Sequence, residues 1–506
     1  MKGSAKVFTN TLTLYVRLGI LSIVSLVTVK LTLQALGETD YGLNNVMSSV
    51  VLLSSFITAS MSIASQRYFA ISLKKGDWFE LSRYFSLIFN LFLVFVISAI
   101  FIFNTFGIWF VLNRLVIPDS RLFPCLIVYE ASLINFAFTV MALPFTGLII
   151  ADENFKVFSI ISVFDGLAKV IVAFMLYISP WDKLISLALL SLGVSFLTNG
   201  LYVVYTKKKY NFLNYKMKQE YSGYKELFSY MNWNLIGAAG SVGKIQGLNI
   251  ILNMFFGGSV NAARALATQV RSIINSFSSS FMSAVNPQIT KSYAGQEYDK
   301  LEMLVYSSSK MSFFLLYIII LPFTFNMRYI LHLWLGETVP EYTVEFIILI
   351  LLDMLIQVIT SPIGTAIAAT GKVRDYQLTV GMLQILNIPA AYLILKITLD
   401  PILPFTISII ISVGITIGRI ILYRRINSKF NFVKYVKNVF RPILLVVLPS
   451  FLLTYLIFCE FDNILMAILF VLLIVSYTVS FVFFFGLNKD EKHFLKEIFT
   501  SKLYKK

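Results

Sequence analysis

The stretch ILMAILFVLLIVSYTVSFVFFFG, residues 464–486, decides the class of fold. It holds no Asp, Glu, Lys or Arg, and it is longer than the about 20 apolar residues a helix needs to cross a bilayer. The run is continuous, whereas a barrel strand alternates apolar and polar residues. Working outward, thirteen more runs read the same way. The expected spans are 11–36, 44–72, 84–112, 121–150, 157–179, 184–206, 230–256, 265–290, 311–335, 343–370, 378–398, 402–422, 443–459 and 464–486. Over the 506 residues, 58% are hydrophobic and 13% charged, against about 25% charged in a soluble protein. This excludes a soluble enzyme on a single anchor. The sequence predicts an all-α polytopic membrane protein of about 14 transmembrane helices.

The net charge of +16 has a membrane reading. Basic residues gather on the cytoplasmic side of such proteins. Both termini and the loops sharing their side carry 29 Lys and Arg, and the opposite loops carry four: Arg114, Arg121, Lys183 and Arg264. Both termini are therefore expected in the cytoplasm. The densest runs, Lys207–Lys209 with Lys216, Lys218 and Lys225, then Arg424–Arg441, then the tail from Lys489, suit topology and contact with anionic membrane lipids. No nucleic-acid partner is expected. Cys125 and Cys459 close apolar runs, and His332 and His493 stand apart from other ligands. Neither a metal nor a cofactor is expected. The first apolar run is too long for the core of a signal peptide. No P-loop pattern is present, which argues against direct ATP hydrolysis.

The chain divides at a basic linker, 207–229, into an N-lobe, 1–206, and a C-lobe, 230–422. Residues 423–506 add a basic loop, two more spans and a tail. The two lobes look alike at an offset near 220. Gly37 matches Gly257. Ser72-x4-Asp77-Trp78-x2-Leu81 matches Ser292-x4-Glu297-Tyr298-x2-Leu301. The run from Pro144 to Ala151 matches Pro362 to Ala369 at offset 218. Two pseudo-symmetric six-helix lobes, plus two extra C-terminal helices, would place a substrate cavity between them.

Charge inside a bilayer is costly, so each in-span case needs an account. Nine cations and three anions, Glu130, Asp165 and Asp353, lie within spans. Lys30, Arg67, Arg328, Lys396 and Arg419 sit near span ends and can snorkel. Asp165 and Lys169 are four apart and are expected to pair. Arg17, Lys244 and Arg271 remain. Arg264, Thr268, Arg271, Asn275 and Ser278 make one polar helical face, as do Asn234, Gly237, Ser241 and Lys244. Span 1 carries Asn10, Thr13 and Arg17, and span 2 carries Ser55, Thr58, Ser62 and Ser65. The hydroxyl and glycine faces are read as close helix packing. The faces with Arg and Lys are read as lining a cationic cavity, with structural pairing as the alternative. Glu130 and Asp353 are candidates for ion coupling, to Na+ or H+, or for pairing with Lys244 or Arg271. Surplus positive charge suits a diphosphate, whose oxygens an arginine grips bidentately.

The segments Leu36-Gly-Glu-Thr-Asp-Tyr-Gly42, Ser65-Gln-Arg-Tyr68, Asn249-Ile-Ile-Leu-Asn-Met-Phe-Phe-Gly257, Val260-Asn-Ala-Ala-Arg264, Ala284-Val-Asn-Pro-Gln288 and Leu333-Trp-Leu-Gly336 resemble bacterial polysaccharide flippases. These are the O-antigen and polysaccharide transporters of the MOP superfamily, which also holds MATE exporters and lipid II flippases. The resemblance covers nearly the whole chain, most specifically 230–380. It implies a two-lobed, fourteen-helix fold in the bacterial inner membrane. It implies flipping of undecaprenyl-diphosphate-linked oligosaccharide between leaflets, without catalysis, for surface polysaccharide and lipopolysaccharide biosynthesis. It also makes a polysaccharide polymerase and glycosyltransferases possible partners. Cationic cavity residues serve related flippases, and Arg17, Lys244 and Arg271 hold suitable places. The quoted motifs are read as mostly structural.

Three alternatives stand beside this. A MATE-like cation-coupled exporter should show a dominant acidic site, and the in-span charge runs the other way. A lipid II flippase is nearest in chemistry. A membrane glycosyltransferase is suggested by Glu38-Thr-Asp40, but the expected loop there is too short for an active site.

Overall fold

The computed structural model describes residues 2–211, 215, 217, 221–371, 373–427, 430–458, 463–489 and 491–492, with backbone only for 2–12, 221–222, 226 and 228–234. Cys459, His493, Lys218 and most of the C-terminal tail lie outside the described residues. Among the described residues there is no strand. The first half is built from α1 (Lys2–Leu52), α2 (Ser55–Lys75), α3 (Trp78–Ile102), α4 (Ile108–Arg114), α5 (Leu122–Ala151), α6 (Phe155–Ile178) and α7 (Lys183–Lys209). After the linker come α8 (Tyr221–Val242), α9 (Leu248–Phe256), α10 (Gly258–Ala294), α11 (Tyr298–Phe325), α12 (Met327–Leu335), α13 (Thr343–Ile359) and α14 (Ser361–Ala369). Then follow α15 (Arg374–Ile385), α16 (Asn387–Thr398), α17 (Leu403–Ile426), α18 (Phe432–Tyr435), α19 (Arg441–Ile457) and α20 (Ile464–Phe481).

Eleven helices are long and apolar enough to span a membrane, or twelve with α13 and α14 taken as one span bent by 41°. This is an all-α, multi-pass membrane protein. The two expected spans outside that set correspond to α2 and α10. Both are long, but Ser, Thr, Asn and Arg make them too polar to pass on composition. They are the second span of each expected half.

The three sequence matches recur as backbone geometry. Gly37 (φ 79°, ψ 169°) and Gly257 (φ 75°, ψ −159°) break their helices alike. Gly76 (φ 69°) and Gln296 (φ 58°) both turn left-handed, with Asp77 N–H bonded to Ser72 C=O and Glu297 N–H to Ser292 C=O. Glu153 (φ 57°) and Gly371 (φ 74°) close the third pair. One expectation changes here. The short loop expected near 37–43 is helical: α1 continues through it, kinked at Gly37 alone.

Contacts divide the chain into two compact units. The first runs through Leu266 and takes in Thr338–Thr343 and Gly381–Ile407. Its core includes Leu43, Met47, Phe69, Phe92 and Tyr129. α5 packs on α1, α2, α3 and α7, and α6 packs on α1 and α7. The unit extends past the 207–229 linker because α8 packs on α2 and α9 on α1. The second unit comprises Ala267–Glu337, Val344–Val380 and the chain from Ser408. In it α11 packs against α14, α19 and α20. Tyr317 Oη lies 2.9 Å from Ser450 Oγ, and Tyr435 Oη donates to Ile359 C=O at 2.9 Å.

Candidate functional site

In the first unit, Lys244 sits on a π-helical turn, Gly243–Gly247, between α8 and α9. Such turns interrupt the regular bond ladder and recur at functional sites. Here Arg264 supplies a donor: its Nη2 lies 2.7 Å from Ile245 C=O. Arg264, counted from sequence among loop cations, is thus a buried helix residue, 6% exposed, that props the turn carrying Lys244. Lys244 is itself buried. The glycines make room, since a Cβ at Gly243 or Gly247 would approach Ile388 of α16 to 3.1 or 3.0 Å. Asn234 lies on α8, and its side chain is outside the described residues.

The quoted motif residues form a seam beside this turn. Asn249 Nδ2 donates to Asn45 Oδ1 and Ser49 Oγ, each at 2.7 Å. Asn261 Nδ2 donates to the backbone and side-chain oxygens of Asn249 at 2.7 and 2.8 Å. Asn253 Oδ1 accepts from Val116 N–H at 3.0 Å, and Ser259 donates to Glu38 at 3.0 Å. α1 and α10 touch through backbone: a Cβ on Gly42 would stand 1.7 Å from Gly258 O, and one on Gly258 would stand 2.5 Å from Thr39 O. Only hydrogen fits there. Close by, Arg121 Nε donates to Asp40 at 2.8 Å and its Nη1 to Asp182 at 2.6 Å. Burial pushes the Asp182 carboxyl up, but the N–H groups of Ile185 and Leu184 and the Arg121 guanidinium outweigh it and hold the carboxyl below the usual range. Glu38 and Asp40 are thus both engaged in contacts within the first unit.

Arg17, on α1, is held differently. Its guanidinium lies 4.5 Å from the centre of the Phe158 ring, and its buried Nε has no hydrogen-bond acceptor among the described residues. Also on α6, Lys169 Nζ bonds Asp165 at 2.7 Å, the pairing expected from their spacing, and Thr198 of α7 donates to the same carboxylate at 3.2 Å. Glu130, on α5, has no hydrogen-bond or ion-pair partner among the described residues.

The other expected residues fall in the second unit. Arg271 is half-buried and Asn275 exposed on α10. Asp353 of α13 is buried, accepting from Gln357 at 2.7 Å and from Ser412 of α17. Arg419, read as a snorkelling residue, donates to Gln357 C=O at 3.2 Å and faces the Tyr376 ring. Lys310, counted as a loop cation, is a further correction. It is 3% exposed inside α11 and pairs with Glu491 at 2.7 Å. Of the eight expected site residues, contact joins the turn bearing Lys244 to Arg264, while Arg17 and Glu130 stand elsewhere in the first unit.

The architecture can be compared with known proteins. Residues 246–393 match the MatE family model. No curated protein matches the chain in sequence. Among solved structures, the lipid II flippase MurJ in an inward closed conformation is 13% identical, with a TM-score of 0.69, over 94% of this chain and 99% of that one. An inward-facing multidrug resistance MATE family transporter of the MOP superfamily is 12% identical, with a TM-score of 0.62, over 81% and 97%. A MOP superfamily transporter from Pyrococcus furiosus, described by the reversed polarity of its binding pocket, is 12% identical, with a TM-score of 0.58, over 83% and 95%. The chain has the MOP transporter fold.

In that fold the asparagine seam is what sequence reasoning missed as a group. The signal was present in Asn249 and Asn253, one turn apart in an apolar helix. Their partners are out of reach of any local pattern: Asn45 is 204 residues away.

Proposed function

We propose that the protein is a flippase that moves undecaprenyl-diphosphate-linked oligosaccharide from the inner to the outer leaflet of a bacterial cytoplasmic membrane by alternating access. Arg17 carries this reading. A guanidinium on a membrane helix, with a buried donor unmatched among the described residues and an aromatic ring 4.5 Å away, is arranged to receive an anion. Arginine binds phosphate oxygens through paired N–H groups. Lys244 and Arg271 are also proposed to contact the diphosphate, and Asn234, Arg264 and Asn275 to bind substrate. Arg17 joins when the cavity faces the cytoplasm. The seam at Gly42, Gly258 and Asn249 then serves as the outer gate, since the basic bias puts that end outside. Glu130 and Asp353 are proposed to couple transport to Na+ or H+. A polymerase and glycosyltransferases would act on either side of this step, and no catalysis is assigned to the chain.

A MATE-like exporter of cations is favoured by the family match over 246–393; the surplus of in-span cations opposes it. The MurJ likeness keeps lipid II as the nearest alternative cargo. The test is complementation of surface-glycan export, with membrane levels checked by blot. Arg17→Ala, and Lys244→Ala with Arg271→Ala, should each cut export about tenfold or more, the effect of losing a hydrogen bond to a charged group. Arg271→Lys should be partly defective. Wild-type export from the alanine variants would refute the diphosphate assignment.

A further inference from the structure

We propose that the first unit holds a subsite for one sugar ring of the transported glycan, in a cavity walled by α1, α5, α6 and α7. This rests on the flippase reading above. The cavity measures about 240 Å³, room for roughly eight waters at about 30 Å³ each. Its wall includes Thr32, Tyr41, Asn44, Asn135 and Ser191. Among the described residues, none of these five side chains has a protein hydrogen-bond partner. The Asn135 amide oxygen is buried with its bonding capacity unused. Buried polar groups in native proteins are almost always satisfied. A convergent set left open on one cavity marks the place where a ligand completes the bonding.

The chemistry of the wall selects the ligand. No carboxylate lines the cavity, so an inorganic cation would find no opposite charge there. Its one charged group, Lys169, is already neutralised by Asp165 at 2.7 Å, so it does not call for an anion. The open groups are hydroxyl, phenol and amide, which together donate and accept. Beside them Val29, Val128, Val172 and Leu192 form an apolar wall. A pyranose ring has that pattern, with hydroxyls at its rim and C–H groups on its face.

The test uses purified full-length protein and two lipids: undecaprenyl diphosphate without sugar, and the oligosaccharide-bearing lipid isolated from membranes of the source organism. Wild type should bind the glycan-bearing lipid about tenfold or more tighter, the gain from one or two well-made hydrogen bonds. Asn44→Leu with Asn135→Leu should bind the two lipids alike. Asn135→Gln, which keeps the amide, should retain part of the difference and so show that the cavity, rather than misfolding, is being read. A glycan preference that survives the double leucine variant overturns the subsite and leaves a water-filled cavity. No glycan preference in wild type overturns it as well, with the flippase reading intact. Failure of wild type to bind either lipid removes the flippase reading itself.

Discussion

Asn135 and Asp353 stand 218 residues apart, the offset that lays Pro144 on Pro362, and the same offset lays Thr139 on Gln357. In the second unit this position is closed. Asp353 is 5% exposed and bonded to Gln357 one turn on and to Ser412 across the interface with α17. In the first unit it is open. Asn135 lines a cavity, and its amide oxygen is unmatched. The contrast reaches further. The second unit also buries Lys310 against Glu491 and ties Arg419 Nη1 to backbone, although Arg419 Nε is itself unmatched among the described residues. Where polar groups bond one another the interior is rigid; where they face a void it is receptive.

Four experiments break or sharpen that contrast. The largest effect should come from Lys310→Met. Removing the cation beside the buried Glu491, which keeps only the Ser307 hydroxyl and the Asn488 N–H as donors, should cost about 3–5 kcal/mol, seen as early thermal unfolding in detergent. Lys310→Met with Glu491→Leu should recover most of the loss, and an unchanged melting curve for the single variant would mean the pair contributes nothing. Next comes Asp353→Ala, which removes the acceptor shared by Gln357 and Ser412, leaves them bonded to each other and should cost about 1–3 kcal/mol in all. Asn135→Ala should cost less than about 1 kcal/mol, since no protein partner is lost. Equal losses at the two positions would end the comparison.

Third, the first unit is open at its cavity but close-packed at its seam. Gly42→Ala should cost about 1–3 kcal/mol by overpacking against Gly258. Gly19→Ala, on the same helix with nothing within 4 Å, should instead gain up to about 1 kcal/mol of helix propensity. Similar unfolding curves for the two would refute the backbone contact. The smallest effect concerns pH. Because the Asp182 carboxyl is held below its usual value, its stabilisation is complete above the ordinary carboxylate pKa near ~4. It fades as pH falls through the lower folded value. Arg121→Met should flatten this acid limb of the melting temperature, and an identical limb would assign the sensitivity to other carboxylates.

Much of the fold was legible because it rests on local terms. A run of about 20 apolar residues specifies a span wherever it packs. Glycine, or a residue that tolerates positive φ, marks the turns at 37, 76, 257, 296 and 371. The i,i+4 pair of Asp165 and Lys169 is a property of one helix. The site was less legible. Arg264 and Lys310 read as loop cations because hydropathy counts charge without knowing its partner, and both are buried in helices against acceptors far along the chain.

By itself the sequence determined a membrane protein of many apolar helices, where several of them turn and which polar residues lie within them. Tertiary structure alone decided which of those polar groups are matched and which are open. Asn249 meets Asn45 across 204 residues, and Gly42 meets Gly258 with no side chain between them. Asn135 meets a cavity where its offset partner Asp353 meets two donors. Hydropathy and turn chemistry act within a few residues. Hydrogen-bond satisfaction is settled only when distant helices come into contact, and function follows from that second kind of term.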